Sequence, residues 1–330
     1  MPSSDAVLEA ADPVLSAAVQ DGLRAVEKRL REVVISSHPM LTVAGSHLVE
    51  AGGKRVRPLL ALLAAQLGDP GRPEVVDAAV VVELTHLATL YHDDVMDEAD
   101  VRRGAASANS RWSNTIAILT GDYLFARASD LTASLGTEAT HLQSRTFARL
   151  VEGQIAETAG PDEGQDPVEH HLQVIADKTA SLIATSARLG ALMAAAPAAH
   201  VEAVARFGEV FGAAFQLSDD LIDVMSDAAD SGKTPGTDLR EGIRTLPVLL
   251  VLAQDAEDSR LRELLTGDLS EDARLTEALG LLRAHPAMDG ARARLQAYVD
   301  QARAAAGELP AGPVRDALVA LTDFVLARTG

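Results

Sequence analysis

The chain has 330 residues, 47% of them hydrophobic and only 3% aromatic, with a formal net charge of −19 and no cysteine. So acidic a balance excludes nucleic acid as a partner, because no broad basic surface can form. The missing cysteines exclude disulfides and zinc–thiolate sites and fit a reducing compartment. Met1–Ser16 lacks the basic and apolar stretches of a secretion signal. No uncharged apolar run reaches the roughly 18 residues of a membrane span, so a cytoplasmic protein without stable membrane insertion is expected.

Alanine and leucine carry the apolar load, which favours close-packed helices over sheet. Prolines and glycines divide the chain into a series of predicted helices. The first seven are Asp5–Ser36, Met40–Ala51, Val56–Leu67, Pro73–Asp97, Asn109–Ser134, Thr137–Thr158 and Pro167–Ala194. His200–Ser226, Thr245–Ala253, Ser259–Leu265, Glu271–Ala284, Ala287–Leu309 and Pro313–Ala327 follow. Pro58, Pro73, Pro167 and Pro313 suit the first turns of their helices. No run alternates in the strand manner, so no sheet is expected. No linker divides the chain, and residues 1–330 read as one all-α domain, a large helical bundle with 1–39 as its N-terminal helical extension. Asp227–Gly242 is a long Gly/Ser/Thr/Asp-rich loop, a natural lid.

Two segments carry the chemistry. His92-Asp93-Asp94-Val95-Met96-Asp97 and Ser218-Asp219-Asp220-Leu221-Ile222-Asp223 both read DDxxD, each at the end of an apolar-periodic stretch. On a helix the first and fifth residues of such a motif share one face. Two such faces aimed at one another would repel unless hard divalent cations with oxygen ligands intervene, Mg²⁺ first. Mg²⁺ shares its shell readily with phosphates, which points to a phosphorylated ligand.

The remaining cations fit that ligand. Only four lysines occur, Lys28, Lys54, Lys178 and Lys233, and three of them lie in motif-like segments. Gly52-Gly53-Lys54-Arg55-Val56-Arg57-Pro58 crowds three cations at a helix start, which opposes the helix dipole unless an anion compensates. His86, Asp93 and Asp97 fall within about 40° of one helical stripe, whereas Glu83 and His92 point elsewhere. Arg102-Arg103-Gly104 follows the first motif, and paired arginines suit multidentate phosphate recognition. Gln216 lies one turn before Asp219, and Lys233 occupies the lid.

Taken in order, these segments resemble the trans-type isoprenyl diphosphate synthases. The resemblance extends over Glu152-Gly153-Gln154, Lys178-Thr179, Gly232-Lys233 and Asp238-Leu239-Arg240-Glu241-Gly242, covering roughly residues 40 to 330. It implies an all-helical fold around a deep central cavity and three Mg²⁺ ions on an allylic diphosphate. Asp93, Asp97 and Asp219 would be metal ligands, supported by Asp94, Asp220 and Asp223. Arg102, Lys178, Thr179, Gln216 and Lys233 would hold the allylic diphosphate. Lys54, Arg57, His86 and Arg103 would hold isopentenyl diphosphate. One departure is Ile243, where many members carry lysine; Arg244 is shifted by one residue and is left out of the site.

In this family the residues four and five before the first motif line the cavity floor. Here they are Thr89 and Ala88, both small, with Thr85 another turn away. Each turn adds about 5.4 Å of depth, so a long product of about 30–50 carbons, suited to a quinone side chain, is expected. A homodimer is expected as well. A medium-chain (farnesyl or geranylgeranyl) synthase is the alternative within the family. A class I terpene cyclase would replace the second DDxxD, and a non-catalytic partner subunit would lose the acidic motifs. A helical di-iron protein would need two Glu-x-x-His strings, and only Glu83–His86 is present.

Overall fold

The computed structural model describes residues 4–225, 235–254 and 259–329. Among these residues the chain is helical throughout except for one two-stranded hairpin. The N-terminal helix expected over Asp5–Ser36 is two, α1 (Ser4–Ala11) and α2 (Pro13–Val33). The break lies at Asp12-Pro13: the proline cannot continue a helix, and the Asp12 carboxylate accepts from the Leu15 amide at 2.8 Å as a new cap.

Next come α3 (Pro39–Glu50), α4 (Val56–Ala65) and α5 (Pro73–Met96). Helix α5 is apolar on every side, and α2, α4, α7 (Asn114–Leu135) and α10 (Ser181–Met193) all pack on it. It is the one helix among the described residues long and apolar enough to cross a membrane. However, 67% of that stretch is buried, so its apolarity serves the core.

The expectation of no sheet is wrong at one point. Strands β1 (Val101–Arg102) and β2 (Ala105–Ala106) pair antiparallel. The two-residue turn between them has positive φ at both Arg103 (53°) and Gly104 (76°), the geometry that matches strand twist in a tight hairpin. Strands of two residues are too short to show alternation. The helix expected over Asn109–Ser134 also divides, into α6 (Ala108–Arg111) and α7, with Ser107 and Ser113 capping each start.

Helix α8 (Thr137–Ala159) follows, then α9 (Pro167–Ile175) and a π turn, Ala176–Ala180, that leads straight into α10. The continuous helix expected over Pro167–Ala194 therefore carries one extra residue in a turn, and that turn holds Lys178 and Thr179. Helix α11 (Ala198–Met225) brings the second acidic motif. The rest are α12 (Thr237–Arg240), α13 (Leu246–Gln254), α14 (Arg260–Thr266), α15 (Asp272–Arg283), α16 (Ala287–Gly307) and α17 (Pro313–Ala327).

Helices α5, α7, α8 and α10 contact one another in a closed ring, and α11 packs on the outside of α10. That last contact is very close. A Cβ added at Gly208 or Gly212 would stand 2.5 Å from the Ala184 Cα or 2.6 Å from the Ala180 Cα. Glycine is required there, and the close approach sets α11 directly beside the π turn.

Candidate active site

The first acidic motif ends α5, and its three carboxylates have different surroundings. Asp94 is fully buried; it accepts from Arg102 Nε at 2.6 Å and from the Ala108 amide at 3.4 Å. It therefore anchors the hairpin to α5. Asp97 is half exposed, with only a long 3.4 Å contact to Arg102. The Asp93 carboxyl is pushed up to about 6, by burial above all and by the neighbouring Asp97 and Glu157, against the opposing pull of Lys178 and Arg102.

The second motif divides in a similar way. Asp220 is buried, accepting from Gln216 Nε2 at 3.0 Å and lying 3.1 Å from His171 Nε2. Asp223 accepts from the amides of Thr237 (3.1 Å) and Asp238 (3.2 Å), which ties down the loop returning to α12. Asp219 pairs with Arg328, just beyond α17, whose guanidinium also lies 5.2 Å over the Phe215 ring. Three of the six aspartates are thus occupied by structural donors. Asp97 and Asp219 are each met by an arginine, Arg102 at a long 3.4 Å and Arg328, and Asp93 is the carboxyl that burial raises.

The two walls converge. Glu241, after α12, feels both Asp97 and Asp223. Lys178 of the π turn pairs with Glu157 and lies near enough to Asp93 to draw its proton off. Thr179 donates to Gln216 at 3.1 Å, so the π turn is tied to the second motif. Among the described residues, no three carboxylates or imidazoles close on a single point suited to a metal ion. The acids instead line opposite walls, an arrangement that suits an ion completing its shell with a ligand's phosphate oxygens.

A second basic pocket lies beside the first. Arg55 takes a left-handed φ of 46°, unfavourable for a non-glycine residue. Its side chain is held by Glu27 (2.5 Å), Glu83 (2.6 Å) and the Val49 carbonyl (2.9 Å). Arg103 reaches from the hairpin turn to the carbonyls of Leu48 (3.2 Å) and Gly52. A Cβ at Gly53 would stand 2.9 Å from the Arg103 Cζ, so this glycine admits the guanidinium. Arg57 has an enclosed Nε without a hydrogen-bond partner, and burial pushes its guanidinium down to about 10. Lys54 lies 5.9 Å over the Phe215 ring. His86 is held well below its usual range by burial and by Arg57 and Arg103, so its imidazole is neutral at physiological pH.

The structure thus brings Arg57, His86 and Arg103 together, and separately Arg102 and Lys178 about Asp93 and Thr179 with Gln216, while Lys54 lies over Phe215. Lys233 lies outside the described residues, as do residues 227–234 of the expected lid. Arg244 is exposed, and Ile243 is 40% exposed. Sequence reasoning missed Glu83, His171 and Arg328 as members of the site. Glu83 could have been found as the acid inside the apolar run Ala78–Leu90. His171 and Arg328 carry no local signal, because each meets its aspartate across the fold.

Under the first motif, Thr85 and Ala88 are fully buried and Thr89 partly so. Thr85 accepts from Gln143 Nε2 of α8 at 2.5 Å, and Thr146 and Thr185 share a hydrogen bond of 2.6 Å. The aromatic pair Phe125 and Phe147, with centroids 4.3 Å apart, stands beside His92.

Helices that carry two carboxylate motifs beside clustered arginines suit an enzyme acting on anionic substrates. The polyprenyl synthetase family model matches residues 38–282. The chain is 48% identical to nonaprenyl diphosphate synthase of Mycobacterium tuberculosis, over 97% of this chain and 96% of that protein. It is 42% identical to dimethylallyltranstransferase of the same organism, over 96% of this chain and 97% of the relative. The fold matches the crystal structure of geranylgeranyl pyrophosphate synthase from Corynebacterium glutamicum complexed with calcium and isoprenyl diphosphate. That match has a TM-score of 0.86 and 44% identity, covering 97% of this chain and 98% of the other. The chain belongs to the polyprenyl synthetase family, as an all-α prenyltransferase acting on isoprenoid diphosphates. Enzymes of this family use Mg²⁺.

Proposed function

We propose that the chain is an all-trans polyprenyl diphosphate synthase that adds isopentenyl diphosphate, head to tail, to an allylic diphosphate primer. The observation that carries this reading is the sorting of the six aspartates. Asp94, Asp220 and Asp223 are tied to the scaffold by donors of the protein, whereas Asp93, Asp97 and Asp219, the last paired with Arg328, would ligate metal. Three Mg²⁺ ions, when bound, would neutralise charge on the departing diphosphate. Arg102, Lys178, Thr179, Gln216 and Lys233 hold that diphosphate, and the cations stabilise the charge that develops as the allylic carbon–oxygen bond breaks. Lys54, Arg57 and His86, backed by Arg103, hold isopentenyl diphosphate so that its double bond attacks the allylic carbon. The departing diphosphate takes the proton then lost, and the apolar walls keep water from quenching the cation.

The product is a long chain. The small residues Ala88, Thr89 and Thr85 leave depth beneath the first motif, and the nonaprenyl synthase relative supports this over the geranylgeranyl alternative. Mass spectrometry of the product made from isopentenyl diphosphate is expected to give about six to ten isoprene units, each turn of α5 adding about 5.4 Å of depth. A fifteen-carbon major product would overturn the assignment.

The working unit is a homodimer in the cytoplasm. Ile118 and Leu119 of α7 and Val151 and Ile155 of α8 are exposed apolar residues beside a groove of about 370 Å³ lined by His92, Val95 and Met96. An apolar face of this extent marks an interface. Light scattering is expected to give about 69 kDa, twice the 34.6 kDa chain. A monomer mass at micromolar concentration would refute the dimer.

A further inference from the structure

The second basic pocket poses an electrostatic problem. Arg55, Arg57 and Arg103 crowd around one fully buried carboxylate, Glu83, which is 1% exposed on α5 one turn before His86. Its Oε1 accepts from Arg55 NH1 at 2.6 Å and lies 3.7 Å from Arg103 NH2. Both arginines spend further donors inward: Arg55 on Glu27 and the Val49 carbonyl, Arg103 on the carbonyls of Leu48 and Gly52. Those carbonyls belong to the end of α3 and the glycine turn, so the two guanidinium groups clamp the loop that carries Lys54 and Arg57. Arg57, two residues past Arg55, keeps an Nε with no protein partner.

We propose that Glu83 is the positioning residue of this pocket: it draws Arg55 and Arg103 inward onto the Gly52–Gly53 turn and leaves Arg57 to face the ligand. This rests on the reading of the pocket as the isopentenyl diphosphate site. Like charges in one pocket repel, and a neutral acceptor at position 83 would not offset that repulsion. Arg103 would then turn toward the bound diphosphate, Arg55 would keep only Glu27 as an anionic partner, and the loop would lose part of its clamp. Glu83 itself touches no substrate, so its effect belongs to binding at this pocket and not to cleavage at the other.

The test uses Glu83→Gln, which keeps the size and one acceptor, and Glu83→Asp, which keeps the charge. Circular dichroism and thermal melting establish that each is folded. With each substrate varied separately, Glu83→Gln is expected to raise KM for isopentenyl diphosphate about tenfold or more. The allylic KM and kcat should stay within about threefold, and Glu83→Asp should recover most of the loss. An unchanged isopentenyl diphosphate KM in folded Glu83→Gln overturns the proposal, and so does an equal rise in both KM values. If Glu83→Gln does not fold, Arg55→Lys, which keeps charge but loses the forked donors to Glu83 and the Val49 carbonyl, carries the same kinetic test. Should the wild-type enzyme fail to consume isopentenyl diphosphate, the functional reading fails instead. Calorimetry with inorganic pyrophosphate in metal-free buffer then still decides the positioning role. Affinity about tenfold weaker in Glu83→Gln supports it, and equal affinity overturns it.

Discussion

Asp93→Ala is expected to lower kcat by about a thousandfold or more, equivalent to about 4 kcal/mol of lost transition-state stabilisation. Asp219→Ala should do the same from the opposite wall. The physical reason is where charge appears. Cation ligands stabilise the diphosphate most strongly as it departs, so their loss falls on turnover more than on substrate binding. The two variants differ in what they leave behind. Asp93→Ala removes a carboxyl that burial already pushes up to about 6, so the metal-free protein should not be destabilised by it. Asp219→Ala strands the Arg328 guanidinium, whose NH1 already has no partner. It should therefore lower the melting temperature as well. Release of diphosphate under saturating substrates measures both losses. Full activity in Asp93→Ala would show the first acidic motif to be a solvated helix face.

Arg57→Ala is expected to raise KM for isopentenyl diphosphate about ten- to hundredfold, because each charge-assisted arginine–phosphate hydrogen bond contributes about 1.5–3 kcal/mol. The allylic KM should hardly move. The isopentenyl diphosphate does not depart in the reaction, so its binding is used about equally in ground and transition states. Arg57 is well suited to show this. Its Nε is enclosed and unpartnered, so truncation breaks no internal hydrogen bond at that atom. Steady-state kinetics with each substrate varied separately is the measurement. Impairment of the allylic substrate alone would reverse the assignment of the two pockets.

The elements that sequence reading placed well are those whose information is local. Helical periodicity, the prolines at the starts of α5, α9 and α17, and the spacing of His86, Asp93 and Asp97 each depend on residues within a few turns. The helix starts that were misread had local causes of a different kind. The Asp12-Pro13 break was available but outweighed by the apolar periodicity running through it. The hairpin at Val101–Ala106 is too short for any pattern, and only the Arg103-Gly104 turn could have announced it. The extra residue of the π turn at Ala176–Ala180 leaves no compositional trace.

The sequence by itself determined which carboxylates and cations are candidates for the chemistry, and in what order they lie along which helices. That information is local, because a helix converts spacing into a face without reference to the rest of the chain. Tertiary structure alone decided how those groups divide their work. Asp220 is met by His171 across the fold, and Asp219 by Arg328 from the far end of the chain. Likewise Arg55 and Arg103 turn inward onto Glu83 while Arg57 does not. Buried charges seek partners across the fold, and a partner tens of residues away in sequence has no fixed spacing by which it could be read.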